Sequence, residues 1–156
     1  MLDEATRVFR NGSRALIVAA VTPDGAPHAT RGWGISLDMD ERTARLLLPA
    51  DDDVVIAALG ARDARIAVTA GDIDTLHSTQ IKGRALHIER ATETDELTAA
   101  EYVDGFAAAV ERVDGTPRTL IERLVPTAFV ACTITIDDVF DQTPGPGAGA
   151  SVTGNR

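Results

Sequence analysis

The chain of 156 residues is long enough for one domain with a buried core, and with only 4% aromatic residues that core consists mainly of Ala, Val, Ile and Leu. The formal net charge of −9 argues against nucleic acid or an anionic membrane as a partner, because both present negative phosphates. The single cysteine, Cys132, excludes a disulfide within the chain, and no stretch has the roughly 20 apolar residues of a membrane span. We therefore expect a cytoplasmic protein.

The first elements are a helix and a hairpin. Apolar residues at helical spacing before an Asn-Gly pair predict a short amphipathic helix over 2–12. Residues 15–21 are an almost unbroken apolar run, which is typical of a strand covered on both faces. The Pro-Asp-Gly turn over 23–25 and the alternating residues 28–36 predict a second strand folded back on the first.

Strand alternation in this second strand places Arg31 and Trp33 on one face, and His28 and Thr30 on the other. A cation next to the only tryptophan suits one wall of a ligand groove, where the indole stacks on a planar ring. The same pair also suits a subunit interface. Both interpretations stay open, and they are compatible if the groove lies at that interface.

The rest of the chain adds strands and two principal helices. Strands are predicted over 44–49, 64–70, 79–89 and 127–136, and helices over 50–61 and 94–113, with a further helical turn over 119–124. Six strands without regular βαβ alternation predict a mainly β fold, a small closed antiparallel barrel with flanking helices. We expect this domain to span 1–147 and the Pro- and Gly-rich residues 148–156 to be a disordered tail. The QTPGPG run before the tail is interpreted as an ordered loop or part of the tail.

Three segments carry a family resemblance: PHATRGW (27–33), STQIKG (78–83) and VFDQTPGPGAG (139–149). Together with the order of elements they resemble the pyridoxamine 5′-phosphate oxidase-like, flavin-binding split-barrel family. The resemblance implies a six-stranded antiparallel split β-barrel, FMN as cofactor, and a homodimer with the cofactor groove at its interface.

The resemblance also implies the site. Its predicted cofactor-binding residues are Thr30, Arg31, Trp33, Ser78, Thr79, Gln80 and Lys82. The implied activity is an FMN-binding oxidoreductase that transfers electrons or hydride between the flavin and a small planar substrate. Catalytic residues stay unknown because the flavin carries the chemistry. No spacing of His, Cys or carboxylates predicts a metal site.

One departure from the family leaves an alternative open. Asp51, Asp52 and Asp53 stand where many flavin-binding relatives hold the cofactor phosphate, and carboxylates repel a phosphate dianion. If they are only helix-start charges, the phosphate is held elsewhere, by Arg31, Lys82 or Arg84. The alternative function is a non-catalytic split barrel that binds flavin, haem or another planar ligand.

Overall fold

The computed structural model describes residues 5–153 as eight strands and three helices. The strands are β1 (Arg14–Val21), β2 (Pro27–Arg31), β3 (Ile35–Leu37), β4 (Thr43–Pro49), β5 (Arg65–Asp72), β6 (Ser78–Arg90), β7 (Phe129–Thr135) and β8 (Asp138–Asp141). The helices are α1 (Asp53–Gly60), α2 (Glu93–Asp114) and α3 (Arg118–Glu122). Of the helix predicted over 2–12, residues 1–4 lie outside the described residues, and a 3₁₀ turn spans Arg7–Phe9.

The predicted fold class is confirmed: the protein is mainly β, an antiparallel split barrel with flanking helices. The strand order is β2-β1-β5-β6-β7-β4-β3, with β8 paired to the first part of β6. The sheet is open rather than closed, because its end strands β2 and β3 do not pair with each other, and the strand number is eight rather than six. The predicted second strand is interrupted at Gly32–Gly34, and β8 is too short, between polar residues, to give a strand pattern of its own.

Strands β2 and β3 are consecutive in the chain, yet they form opposite margins of the sheet. The Gly32 amide donates to the Leu16 carbonyl of β1 at 3.1 Å, whereas the next amide, that of Trp33, donates to the Leu47 carbonyl of β4 at 2.9 Å. Gly34 follows with a φ of +155°, a conformation that glycine tolerates best. One segment therefore spans the split of the barrel.

Helix α2 packs against this split. It begins with a reciprocal capping box between Thr92 and Asp95 and ends at Gly115, which has a φ of +74°. Its buried face carries Tyr102 and Phe106, whose rings stack with centroids 5.9 Å apart. The helix thus brings aromatic side chains to the place where the chain crosses from β1 to β4.

The C-terminal segment turns back along β8. The Asp141 amide donates to the Ala150 carbonyl at 3.0 Å, and Phe140 pairs with Ser151 as an antiparallel bridge. The tail predicted from Ala148 thus has residues 148–153 beside β8, while 154–156 lie outside the described residues.

Candidate functional site

The surface of the sheet that points away from the barrel interior, called here the outer face, is apolar and open to solvent. Along β1, Leu16 and Val18 are fully buried, while Ile17 and Val21 on the opposite side are 45% and 55% exposed. A solvated sheet face normally carries polar residues. The apolar run that predicted a strand covered on both faces is therefore covered on only one face within this chain.

One row of residues crosses the outer face from Arg31 to Gln80. The register aligns Arg31 with Ile17, Ile17 with Thr69, and Thr69 with Gln80. Three strand spacings separate the Cα atoms of Arg31 and Gln80 by roughly 14 Å. Gln80 donates through Nε2 to the Thr69 hydroxyl at 2.9 Å, which leaves its amide oxygen available to a ligand.

The neighbouring row has small side chains and one lysine. It aligns Ala29, Ala19, Ala67 and Lys82 across four strands. The Lys82 ammonium lies 4.6 Å from the centre of the Phe140 ring, a cation–π contact. Alanines leave the backbone accessible, so a flat molecule can approach this part of the face closely.

A groove of about 320 Å³ opens at this row. Its walls include Val21, Pro27, Arg65, Lys82 and Asp138. The groove combines apolar side chains with two cations, Arg65 and Lys82, and two carboxylates, Asp137 and Asp138, so an anionic group of a small ligand would have to bind on the side of the cations. Nearby, Arg84 lies 3.5 Å from a carboxylate oxygen of Asp137 and is thereby compensated.

A larger cavity, of about 610 Å³, lies beside the 3₁₀ turn and contains none of the predicted site residues. Its polar groups satisfy one another: Asn11 donates to Asp72, and Arg10 lies 2.6 Å from Glu41. His77 at its rim lies 3.2 Å from the Thr143 hydroxyl through Nδ1. We therefore place the candidate site on the outer face.

The structure separates the seven predicted site residues into two groups. By register and alternation, Arg31, Ser78, Gln80 and Lys82 belong to the outer face. The other three do not: the Thr30 position pairs with buried Val18, Thr79 is 1% exposed, and Trp33 is 2% exposed. The indole of Trp33 packs edge-on against Tyr102 with ring centres 6.3 Å apart, so no ligand stacks on it in this conformation. The predicted binding roles stay predictions.

Arg31 and Trp33 do come together, but inside the split of the barrel. The Arg31 guanidinium lies 5.6 Å from the Trp33 ring centre and 4.6 Å from that of Phe106. Its Nε and Nη2 atoms are buried and have no hydrogen-bond partner among the residues described. Arg31 and Trp33 are thus in contact, as predicted, and two buried nitrogens of Arg31 lack a hydrogen-bond partner among the described residues.

Two further residues at this place escaped the sequence analysis. Arg14 is 8% exposed and its guanidinium carbon lies 5.6 Å from the Tyr102 ring centre. The Tyr102 hydroxyl accepts a hydrogen bond from the Leu16 amide at 3.1 Å. Burial raises the pKa of Tyr102 and lowers that of Arg14. The sequence signal for Tyr102 was its helical spacing, which indicates a core position as readily as a functional one.

The three aspartates lie at the start of α1. Asp52 caps the helix by accepting from the Val55 amide at 3.0 Å, and His28 Nε2 lies 3.2 Å from each of its carboxylate oxygens. Burial raises the pKa of Asp52, but hydrogen bonds from Val55, His28 and Thr30 outweigh it, so the pKa is lowered. A deprotonated carboxylate occupies this helix start, and a phosphate dianion does not fit beside it. Asp51 and Asp53 are exposed.

Neither a metal site nor a membrane-spanning helix is found among residues 5–153. Within that range, no three His, Cys, Asp or Glu side chains converge as metal ligands do. None of the helices described combines the length and apolar character needed to cross a bilayer.

An open antiparallel barrel, with one helix across its split and a flat apolar outer face, defines this molecule as a split-barrel protein. The family model for pyridoxamine 5′-phosphate oxidase matches residues 2–136, and the chain belongs to that family. A search among curated proteins found no match.

Three solved structures illustrate the range of proteins with this fold. HupZ from Group A Streptococcus is 17% identical, with 96% of this chain and 99% of that chain covered and a TM-score of 0.56. An F420 reductase is 13% identical, with 86% and 94% covered and a TM-score of 0.55. HutZ, the haem storage protein of Vibrio cholerae, is 14% identical, with 88% and 92% covered and a TM-score of 0.50. At these identities the likeness shows the fold.

Proposed function

We propose that this protein is an FMN-binding oxidoreductase that works as a homodimer, with the flavin in a groove between two outer faces. The observation that carries the proposal is the outer face itself: an apolar, exposed sheet surface with polar side chains along β6. FMN, when bound, supplies hydride or electron transfer to or from a small planar substrate.

The residues of the outer face have distinct tasks in this proposal. Ala19 and Ala67 let the flavin ring lie flat against the sheet, and Gln80 and Ser78 offer hydrogen bonds to its polar edge. Lys82 is the candidate for the cofactor phosphate, because it borders the open groove and no carboxylate among the described residues lies within ion-pair distance of it. The Asp52 carboxylate excludes the start of α1 from this role.

The second subunit is proposed because of the uncovered half of β1. Ile17 and Val21 remain largely exposed in one chain, although the sequence around them has the continuous apolar character of a fully covered strand. A second copy applied to the outer face buries both residues. It also excludes water from the groove at Lys82, which strengthens the electrostatic interaction with a phosphate.

A second candidate function is non-catalytic binding of haem, flavin or another planar ligand. The position of Asp52, whose carboxylate lies 3.2 Å from His28 Nε2, favours it, because the place where many flavoprotein relatives hold phosphate carries a carboxylate instead. A haem storage protein also has this fold.

The visible spectrum of the purified protein tests both candidates. The oxidoreductase proposal predicts flavin absorbance that bleaches on addition of a nicotinamide cofactor, and FMN uptake by the colourless protein. Lys82→Gln should weaken FMN binding at least about tenfold, with riboflavin binding unchanged, because only FMN carries the phosphate. Arg90→Gln, an exposed change on the same strand, is the matched control.

Three other outcomes separate the two candidate functions or contradict both. Haem uptake with a Soret band and no flavin binding supports the binding-protein candidate. Bound flavin that no nicotinamide cofactor or other donor reduces also supports a binder. A protein that takes up neither ligand, with a melting temperature that neither ligand shifts, contradicts both.

A further inference from the structure

The unsatisfied guanidinium of Arg31 has a defined geometry. Its Nε and Nη2 atoms, which are the two without partners, carry parallel N–H bonds on one edge of the guanidinium plane. This edge, called here the Arg31 fork, matches the two oxygens of a carboxylate or a phosphate. The Arg31 residue as a whole is half-buried, whereas the two nitrogens of the fork are fully buried.

The same edge of another arginine shows what such a fork binds in this protein. Arg45 uses Nε and Nη2 to hold the two carboxylate oxygens of Asp95, each at 2.7 Å. For Arg31, no Asp or Glu among the described residues fills this role. The Arg31 fork therefore has the geometry of an oxyanion receptor without an oxyanion from its own chain.

A second buried cation lies at the same aromatic cluster. Arg14, less exposed than Arg31, contacts Tyr102, donates through Nη1 to the Asn11 carbonyl, and leaves Nε buried and unpartnered. No ion pair to a described residue compensates either arginine. Burial of a charge without an anionic partner is unfavourable, and a cation–π contact offsets only part of that cost. A bound anion would compensate the charge of both guanidinium groups.

Tyr102 adds a neutral donor between these elements. Its hydroxyl accepts from the Leu16 amide at 3.1 Å and lies near the Arg31 guanidinium, which acts to lower the pKa of Tyr102 against the larger, raising effect of burial. No acceptor for the proton of this hydroxyl is found among residues 5–153. A phenol with a free proton beside a cation can donate to an oxyanion that the cation holds.

We propose that Arg31, Arg14 and Tyr102 form an oxyanion-binding site in the split of the barrel, for the phosphate or carboxylate group of a ligand. The Arg31 fork contacts two oxygens, the Tyr102 hydroxyl donates to one of them, and Arg14 contributes a buried positive charge. Two sources supply such a group: the phosphate of FMN, or an anionic group of the substrate. The site does not depend on the proposed flavin function, since either source satisfies it.

The first experiment uses the intact wild-type protein and inorganic phosphate. The arginine Nε–H signals in ¹⁵N NMR spectra report each guanidinium separately. We expect phosphate to shift the signals of Arg31 and Arg14 with one common saturating affinity, while that of exposed Arg62 moves little. If Arg31 and Arg14 respond no more than Arg62, the proposal is overturned, whether or not the protein binds flavin.

Variants then test the geometry. Arg31→Lys keeps the charge but removes the fork, and should weaken phosphate binding at least about tenfold. Tyr102→Phe, which keeps the ring, should weaken it severalfold. Arg62→Lys, at an exposed ion pair, is the matched control and should leave the affinity unchanged. Equal affinities for wild type and both site variants, each with unchanged far-UV circular dichroism, contradict the proposal.

Comparison of FMN with riboflavin identifies the source of the anion. If FMN shifts the Arg31 signal, riboflavin does not, and Arg31→Lys weakens only FMN, the site takes the flavin phosphate. If both flavins bind equally and phosphate still shifts the signal in their presence, the site takes the anion of another ligand. Both results support the oxyanion site. The first result would assign the flavin phosphate to Arg31 rather than to Lys82, whereas weaker FMN binding in Lys82→Gln tests the proposed function and not this site.

Discussion

Arg45 of β4 and Asp95 of α2 form a two-pronged ion pair, with Nε to Oδ1 and Nη2 to Oδ2 each 2.7 Å long. Asp95 at the same time accepts from the amide and hydroxyl of Thr92 at the start of the helix. One buried carboxylate thus both caps α2 and attaches it to the sheet. The helix that covers the split of the barrel depends on this contact.

This ion pair should make stability depend on pH. The Arg45 hydrogen bonds lower the pKa of Asp95 from its usual 3.8 to about 2. The contribution of the pair is therefore complete above about pH 4 and is lost as the pH falls toward 2. We expect Asp95→Asn to lower the free energy of unfolding at pH 7 by about 1–2 kcal/mol, and by progressively less below pH 4. Urea unfolding at several pH values measures the difference.

Asp104→Asn is the control for this prediction. Asp104 lies on the same helix and contacts Arg118, but its side chain is 66% exposed. Its removal should change stability by no more than about 0.5 kcal/mol. If the two variants lose equal stability, or if the Asp95→Asn difference is constant down to pH 2, the assigned role of Asp95 is wrong.

Gly105 allows α2 to approach the chain before β1. A Cβ at this position would collide with the carbonyl group of Gly12, which is backbone and cannot rotate away. We expect Gly105→Ala to destabilise the protein by about 1–3 kcal/mol, despite the better helix propensity of alanine. Thermal unfolding measures this loss. Gly60→Ala, at the end of α1 with open space around its Cβ, should be neutral or stabilising, and equal effects of the two changes would contradict the prediction.

The outer face should control the oligomeric state. Ile17→Lys introduces a charge at the centre of the proposed subunit interface, so it should convert a dimer to a monomer in light scattering after size exclusion. Leu97→Lys replaces a 67% exposed leucine of α2 and should leave the dimer intact. A wild-type protein that is monomeric over a wide concentration range argues against the interface.

Cys132 should be chemically inert while the protein is folded. It is buried on β7, and burial raises the pKa of its thiol to about 12, so the reactive thiolate is scarce at pH 8. We expect no reaction with a disulfide reagent under native conditions and one equivalent of reacted thiol in guanidinium chloride. Stoichiometric labelling of the native protein at the rate of a free thiol would show that β7 opens readily.

The elements with a strong pattern could be predicted from sequence. Helix α2 was predicted at 94–113 and spans Glu93–Asp114, because its apolar residues recur over six turns. The interruption of the second strand could not be predicted in this way. Residues 28–36 keep their alternation through Gly32–Gly34, and only the partners on β1 and β4 show that the strand changes sides there.

The residues of the candidate site likewise differ in whether a local sequence pattern describes their position. Gln80 and Lys82 lie on the outer side of β6, and the binding roles that the family resemblance implies for them stay predictions. Trp33 does not lie on an open face, because the crossing turns its ring toward Tyr102. Arg14 meets the same cluster although 88 positions of the chain separate it from Tyr102. No local sequence pattern describes such a contact, which arises only from tertiary packing.

The crossing of Pro27–Leu37 from one margin of the sheet to the other has a consequence for folding. Since this single stretch is hydrogen-bonded to both β1 and β4, its detachment at Gly32 exposes one edge of each of these strands together, while β1 keeps β5 and β4 keeps β7 on the other edge. Amide protection along the two exposed edges should therefore be lost in the same cooperative step.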